Sequence, residues 1–554
     1  MMASATAQSL SRNRTRNRIA VVMIGVCVVY AVIAGRLIQY GMRDLETVSG
    51  IARGSELLAS RPDLIDRKGQ VLATDIRTVS LYAKPHKITD PDEVIERLAT
   101  VLPELDVRTV YRKLQSQSQF QWLRRQLTPK QQNEILALGI PGVGFRPEKR
   151  RFYPGGPTVS HIVGHVNIDN KGIAGMEKYV DGQGLADLAA VGMTIERQLE
   201  PVRLSVDLRV QHIVRDELSA AMQRYRAIAA GAVVLNAKTG EVMAMSSLPD
   251  YDPNLPAQAL EKDRMNRMSA GTYEMGSTFK AFTTAMALDS GLVTLNDSFD
   301  ARRPIRIAGH TISDFHGKHR ILTVPEIFIY SSNIGTAKMA DVVGIDGQRE
   351  FLTRIGLLTR MQTELPEVTR PSQPREWKKI NSITISFGHG VATTPLQTAV
   401  AAAAMLNGGK LIAPTFLPRT EAQADAIAKQ VIKPETSAAM RYLMQMNVKK
   451  GSGRRAAVPG FRVGGKTGTA EKVVNGRYSS DSRFNAFLSA FPIEDPQYVV
   501  LVVIDEPKPA EGQSSATAGL NAAPTVKAII RRSAALLGVR PTFGEGEDAL
   551  LVSY

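Results

Sequence analysis

Three short motifs, in one order along the chain, constrain this sequence more than anything else in it. Ser277-Thr278-Phe279-Lys280 sets a hydroxyl and an amine three residues apart. The segment reads as the start of a helix, Thr278 to Leu288, and positions i and i+3 share a helix face, so the amine can reach the hydroxyl. No other Ser-x-x-Lys occurs in the chain. Ser331-Ser332-Asn333 and Lys466-Thr467-Gly468-Thr469 follow downstream. A fold that uses all three must bring distant stretches to one point, which is what an acyl-transfer site requires.

The chemistry follows from the residue types. An alcohol is a poor nucleophile at neutral pH and needs a base. None of the eight histidines lies in a triad or nucleophile-elbow context, which leaves Lys280. Its amine can act only when neutral, and a desolvated pocket or the charge of Lys466 would lower its pKa. Ser277 follows Gly276 at a helix N-terminus, where unpaired N–H groups and the helix dipole favour developing negative charge. The oxyanion hole is therefore expected from the N–H groups of Ser277 and Thr469. Lys466 with the Thr467 and Thr469 hydroxyls suits a substrate carboxylate. Gly468, with Gly464 and Gly465, lets a substrate backbone approach a sheet edge. Ser331 can relay a proton between lysine and leaving amine. Asn333 can hold a substrate amide and Lys280.

Plainer readings apply to several look-alikes. Lys238-Thr239-Gly240 repeats the Lys-Thr-Gly string but precedes Ser277 and reads as a hairpin turn. Ser331-Ser332-Asn333 taken alone would be a helix cap or loop; its place between the other two motifs changes that reading. His161 and His165 are four apart, with Gly164 and no glutamate between them, so a structural role is expected and no metal site. His310, His316 and His319 are left on the surface without a role.

The rest of the sequence sets the context. Ile19 to Gly35 carries no charge and, with Leu37, Ile38 and Tyr40, can span a bilayer as a helix of about 20 residues. Arg12, Arg14, Arg16 and Arg18 precede it without an acidic residue, which keeps the N-terminus cytoplasmic and the remainder outside. The apolar run is long for a signal peptide and Arg36-Leu37-Ile38-Gln39-Tyr40 lacks a small-x-small cleavage pattern, so an uncleaved anchor is expected rather than a signal peptide. The net charge of +16 suggests an anionic partner. Aromatics at 6% and basic residues spread along the whole chain argue against nucleic acid and for a membrane or cell-wall surface. The single cysteine, Cys27, excludes an intrachain disulfide and says nothing of compartment.

Two folded parts are expected. Residues 61–205 mix strand-like runs (Val71-Leu72-Ala73, Val79 to Tyr82) with helices at Pro91 to Leu102 and Pro129 to Leu138, each opening on proline. From Val206 the texture changes. Ala230 to Leu235 and Glu241 to Ser246 read as a hairpin, Asn485 to Phe491 and Tyr498 to Ile504 as two further strands, and Ala523 to Leu537 as a closing helix. Strands at both ends with helices between them predict a mixed α/β domain with an antiparallel sheet. The expected division is a tail at 1–18, an anchor at 19–40, a connector at 41–60, a pedestal at 61–205, a catalytic domain at 206–545 and a tail at 546–554.

On these residues the chain resembles the class B penicillin-binding proteins, of the division-specific peptidoglycan D,D-transpeptidase (FtsI) type. Ser-x-x-Lys, Ser-x-Asn and Lys-Thr-Gly are the signature of penicillin-binding proteins and serine β-lactamases. Arg61-Pro62-Asp63-Leu64-Ile65-Asp66-Arg67-Lys68-Gly69 looks like the family's pedestal entry motif. Arg151 to Gly156, then His161, Gly164 and Gly175-Met176-Glu177, match a second pedestal block. Gly231 to Leu235, Gly240-Glu241-Val242 and Asp252-Pro253-Asn254 match the start of the catalytic domain. Gly388-His389-Gly390 with Thr394-Pro395-Leu396-Gln397 resembles another block beside the site. Met275 stands where the family often has proline, and His389 where it commonly has tyrosine; neither change removes a catalytic group.

The resemblance implies a penicillin-binding, serine β-lactamase-like transpeptidase fold on an elongated α+β pedestal of the penicillin-binding protein dimerisation type. It implies that Ser277 attacks the penultimate D-Ala carbonyl of a stem pentapeptide, carried on nascent glycan or a lipid-linked precursor, and expels terminal D-Ala. A neighbouring stem's amine would then resolve the acyl-enzyme, forming the cross-link. Partners would be an FtsW-type glycan polymerase, other divisome membrane proteins and β-lactams, at the bacterial inner membrane with the catalytic domain periplasmic. No metal or organic cofactor is implied. The rivals are an elongation-specific class B transpeptidase, a β-lactamase, a β-lactam-sensing receptor and a non-catalytic division scaffold. The anchor, the pedestal and the lack of a Glu-x-x-Leu-Asn motif argue against the lactamase. A sensor is expected to carry more transmembrane helices and an intracellular effector. A silent scaffold is expected to have lost a motif residue, and none is lost.

Overall fold

The computed structural model describes residues 23–24, 27–31, 33–34, 61–183, 199–474 and 477–542. The chain divides into two compact units, Met1–Ala59 and Ser60–Tyr554. In the first, the described residues between 23 and 34 are helical and exposed. Most of the expected anchor, 19–40, and all of the segments 1–18, 41–60 and 546–554 lie outside the described residues. Among the described residues no helix is long and apolar enough to cross a membrane.

In the second unit, the N-terminal part is organised by strands β1 (Leu64–Ile65), β2 (Val71–Ala83), β3 (Gln121–Leu127), β4 (Val143–Phe152) and β5 (Val202–Arg203). β2 pairs antiparallel with β1, β3 and β4, and β1 pairs parallel with β5. The two short runs expected at 71–73 and 79–82 are thus the ends of one long strand. Helices α1 (Pro91–Val101), α2 (Val107–Leu114) and α3 (Pro129–Ala137) cover its far end. Asp90 caps α1 by accepting from the Asp92 and Glu93 N–H groups, and Thr128 with Gln131 forms a capping box on α3. Their apolar faces meet in a separate core around Leu81, Leu98, Leu114, Leu127 and Ile135.

Near the catalytic part the two pedestal blocks noted in the sequence join through buried ion pairs. Arg61 and Arg151 both bond the Glu177 carboxylate, at 2.9 and 2.6 Å, and Arg151 also reaches Asp75 at 3.2 Å. Glu177 sits in helix α4 (Gly175–Gly182). Asp66 accepts from the Lys68, Gln70 and Leu208 N–H groups. That carboxylate ties the entry turn to the first helix of the next part, α5 (Leu208–Tyr225).

From there a five-stranded antiparallel sheet holds the structure. Its strands are β6 (Ala229–Asn236), β7 (Val242–Leu248), β8 (Gly464–Val474), β9 (Arg477–Phe491) and β10 (Tyr498–Asp505), in the order β8-β9-β10-β6-β7. The β6–β7 turn contains the second Lys-Thr-Gly string, with Gly240 at φ 74°, as a turn requires. β10 is buried along its whole length, and β6 in all but its last residue, because helices cover both faces. On one face lie α5 and α12 (Ala522–Ser533), around Val214, Val234, Val502 and Ile529. On the other lie α6 (Phe279–Asp289), α10 (Pro395–Leu406) and α11 (Pro434–Lys450), around Phe282, Leu396, Leu443, Val233 and Leu501. That core also contains Leu64, Leu72 and Tyr153, so the inner pedestal and the sheet are packed as one body. The mixed α/β architecture with an antiparallel sheet agrees with the sequence expectation.

Candidate active site

Ser277 lies in a single 3-10 turn, Gly276–Thr278, that leads directly into α6. The helix is buried on nearly every side, so it fixes the turn rigidly. Two glycines allow the edge strand β8 to press against it. A Cβ on Gly276 would lie 2.8 Å from the Thr469 carbonyl oxygen, and one on Gly468 2.4 Å from that of Met275. Gly388 closes the other side, since a Cβ there would meet the Gly276 carbonyl at 1.9 Å. The turn that carries half-buried Ser277 is thereby held between β8 and the Gly388–Gly390 loop.

The second motif sits where α7 (Val324–Tyr330) gives way to α8 (Asn333–Arg354). Ser331 caps the C-terminus of α7 in a left-handed conformation, φ 58° and ψ 44°, a region costly for a side chain with a Cβ. Ser332 caps α8 and accepts from the Gly335 N–H at 2.9 Å. This junction turns Ser331 toward α6. The Lys280 ammonium nitrogen donates to the Ser331 carbonyl oxygen and, at 3.1 Å, to its hydroxyl. Lys466 on β8 donates to the same hydroxyl at 2.9 Å. The three motifs therefore meet on one oxygen.

Both lysines are buried, Lys280 at 1% exposure and Lys466 at 0%. Desolvation, then the charge of Lys466, holds Lys280 well below the usual lysine range, while Asp314 pulls the other way. Burial pushes Lys466 down to about 7. A neutral Lys280 has two N–H donors and one lone pair. Its two hydrogen bonds to Ser331 leave the lone pair for a proton from Ser277, one helical turn before it. The Ser331 hydroxyl accepts twice and keeps its own proton to give.

β8 is the sheet's edge strand, so Lys466, Thr467, Gly468 and Thr469 present an unpaired backbone edge beside Ser277. Asn447 donates to the Gly465 carbonyl at 2.7 Å, and the Ser452 hydroxyl lies 2.7 Å from that of Thr467. The Thr469 hydroxyl accepts from the Ala518 N–H at 3.2 Å. These contacts fix the strand that a carboxylate would meet.

Two expected contacts are not formed. Among the described residues Lys280 bonds Ser331 and not Ser277. The Asn333 amide donates to the Ser313 carbonyl at 2.9 Å and is not on Lys280. One residue escaped the sequence reading altogether. Asp314 accepts from the Ser332 hydroxyl at 2.7 Å and from the Ile334 N–H at 2.9 Å, and so clamps the whole Ser331-Ser332-Asn333 corner. Nothing local in the sequence marks it. Ser452 and Asn447 were missed for the same reason.

The histidine pair is structural in its contacts. His161 Nε2 lies 2.6 Å from the Arg264 carbonyl, and His165 Nδ1 lies 3.1 Å from the Tyr251 hydroxyl. Among the described residues no cluster of His, Cys, Asp and Glu has the shape of a metal site.

Comparison with known proteins gives the family. A family model described as the penicillin binding protein transpeptidase domain matches residues 230–531. Another, the penicillin-binding protein dimerisation domain, matches residues 56–200. The chain is 38% identical over 501 residues to the probable peptidoglycan D,D-transpeptidase FtsI of Caulobacter vibrioides, covering 89% of this chain and 83% of that one. It is 33% identical to the probable peptidoglycan D,D-transpeptidase PenA of Neisseria meningitidis, over 95% of this chain and 94% of the relative. With the peptidoglycan D,D-transpeptidase FtsI of Escherichia coli it shares 30% identity over 82% and 81% of the two chains.

Proposed function

This chain belongs to the class B penicillin-binding proteins of the FtsI type, and we propose that Ser277 is the nucleophile of a peptidoglycan D,D-transpeptidase that builds septal wall. The observation that carries this reading is the meeting of Lys280, one helical turn after Ser277, with Lys466 on the Ser331 hydroxyl, at 3.1 and 2.9 Å.

In the acylation step neutral Lys280 takes the Ser277 proton as its oxygen attacks the penultimate D-Ala carbonyl of a stem pentapeptide. The Ser277 and Thr469 N–H groups stabilise the oxyanion. The C–N bond to the terminal D-Ala breaks, and the leaving nitrogen receives the Ser331 proton, which Lys280 replaces. Lys466, Thr467 and Thr469 hold the terminal carboxylate against the β8 edge, where Gly468 leaves room for the substrate backbone. Asn333 orders the substrate amide from the motif corner. The amine of a second stem then attacks the ester, forms the new amide and returns the proton to Ser277. A β-lactam follows the first step only, because its leaving nitrogen stays tethered in the site.

The two-part division at 61–205 and 206–545 fits a pedestal that carries the catalytic domain away from a membrane. The segment 19–40, uncharged from Ile19 to Gly35, is its anchor, with the N-terminus cytoplasmic and the catalytic part on the outer side. The pedestal is the surface for an FtsW-type glycan polymerase and other divisome membrane proteins. Purified full-length chain, given a pentapeptide-bearing glycan, is expected to release D-Ala and produce cross-linked dimers by mass spectrometry; products lacking both would refute transpeptidation. Depletion in cells is expected to give filaments. Spheres would assign the chain to elongation instead.

A further inference from the structure

At the mouth of the site, Glu274, His389 and Tyr478 converge from three distant segments, and the steps above use none of them. Glu274 Oε1 accepts from the Gly390 N–H at 2.7 Å and from the Tyr478 hydroxyl at 3.2 Å. Both donors use the one oxygen; among the described residues Oε2 accepts nothing. The His389 ring stands edge-on to Tyr478, with centroids 5.4 Å apart, and packs against Phe387 on the same loop. Its Nδ1 is buried with no hydrogen-bond partner among the described residues.

The electrostatics are consistent with an acceptor pair. Burial lowers the His389 pKa, and Lys280 lowers it further; Glu274 and Glu471 oppose them. Tyr478 is pushed up to about 12, first by burial and then by Glu274, so it remains a donor. An open carboxylate oxygen and an orphaned imidazole nitrogen in one cluster call for a ligand with several N–H donors and a positive charge. A primary ammonium has three such donors. The cluster is also tied to the nucleophile, since Gly388 abuts the Gly276 carbonyl and Glu274 lies three residues before Ser277.

We propose that Glu274 and His389 form the acceptor subsite, which receives the ammonium of the second stem peptide. Glu274 Oε2 holds the cation. His389 Nδ1 takes one proton and the half-buried ring gives one up to solvent from its other nitrogen, so that a neutral amine faces the Ser277 ester. The amine nitrogen then bonds the acyl carbon, the carbon–oxygen bond to Ser277 breaks, and the second nitrogen proton returns through Lys280 to the Ser277 oxygen. The inference rests on the transpeptidase reading.

The test uses full-length protein in detergent, a D-Ala thioester as donor, and a short peptide with a free side-chain ammonium as acceptor. The readout is the ratio of aminolysis to hydrolysis of the acyl-enzyme. Glu274→Gln is expected to lower that ratio at least tenfold through a raised KM for the acceptor. His389→Gln is expected to shift the acid limb of the aminolysis pH profile while the hydrolysis profile stays in place. Fluorescent penicillin, which needs no acceptor, should still label Ser277 in both variants. An unchanged ratio and profile would overturn the proposal. So would loss of penicillin labelling, which would make the cluster a support for the nucleophile. If the wild type itself neither labels nor aminolyses, the transpeptidase reading fails, a result distinct from either of these.

Discussion

Lys466 Nζ lies 2.9 Å from the Ser331 hydroxyl, the same oxygen that accepts from Lys280. Two buried amines on one hydroxyl cannot both carry full charge cheaply, because each raises the cost of the other and no bulk water screens them. In the proposed reaction the pair divides its roles: one member tends toward neutrality and would serve as base, and the other retains the charge that a carboxylate needs.

That division sets a pH profile. Below the depressed range of Lys280 the base is protonated, so acylation slows as pH falls. Above about 7, Lys466 loses its proton and its hold on a carboxylate. kcat/KM for acylation should be bell-shaped, and its limbs belong to the pair rather than to either lysine. A substrate carboxylate stabilises charged Lys466, so the alkaline limb of kcat should lie higher than that of kcat/KM. Stopped-flow acylation across pH 5–10, on the order of the range these groups span, checks both limbs. A flat profile would deny that either lysine titrates in the reaction.

Asp314 gives a prediction at a residue outside the three motifs. Asp314→Ala removes the acceptor of the Ser332 hydroxyl and the Ile334 N–H. Loss of such a cap costs about 1–2 kcal/mol. Displacing Ser331 by an ångström should slow acylation by roughly 10- to 100-fold. Thermal melting and β-lactam acylation kinetics measure the two effects separately.

Gly388→Ala tests how closely the loop grips the nucleophile turn. Gly388 has φ +98°, and an added Cβ would lie 1.9 Å from the Gly276 carbonyl. The backbone must move, at a cost of at least about 2 kcal/mol, and Ser277 moves with it. Both the melting temperature and the acylation rate should fall. Gly291→Ala, also at positive φ but with open space around it, should lower the melting temperature only.

The pedestal's buried charges should matter for stability and not for chemistry. Glu177→Gln leaves Arg61 and Arg151 without their shared carboxylate. Breaking a buried pair in this way costs about 3–5 kcal/mol. Denaturant unfolding should show that loss, while the folded fraction should react with penicillin at the wild-type rate.

Where structure could be read from sequence, the signal was local. Helices α1 and α3 carry their own start signals, Asp90-Pro91 and Thr128-Pro129, and the β6–β7 hairpin carries its turn. The three motifs stand out in the sequence by residue type and order, and the structure brings Lys280, Ser331 and Lys466 together. The sequence shows β2 as two fragments because its middle, Thr74-Asp75-Ile76-Arg77-Thr78, lacks an apolar alternation; pairing with β4 holds it instead. The bond from Lys280 to Ser331 was not legible as such. Helical spacing puts the amine on the face of Ser277, but burial draws it to the polar groups at the α7–α8 junction. Asp314 and the Glu274–His389–Tyr478 cluster depend on contacts between distant segments, for which no local pattern exists.

The central claim is that Ser277 is the nucleophile, and intact-mass measurement after penicillin treatment tests it most directly. The wild type should gain the mass of one penicillin, the adduct should map to the peptide containing Ser277, and Ser277→Ala should gain nothing while melting like the wild type. An adduct on the folded Ser277→Ala protein, formed at the wild-type rate, would contradict the account.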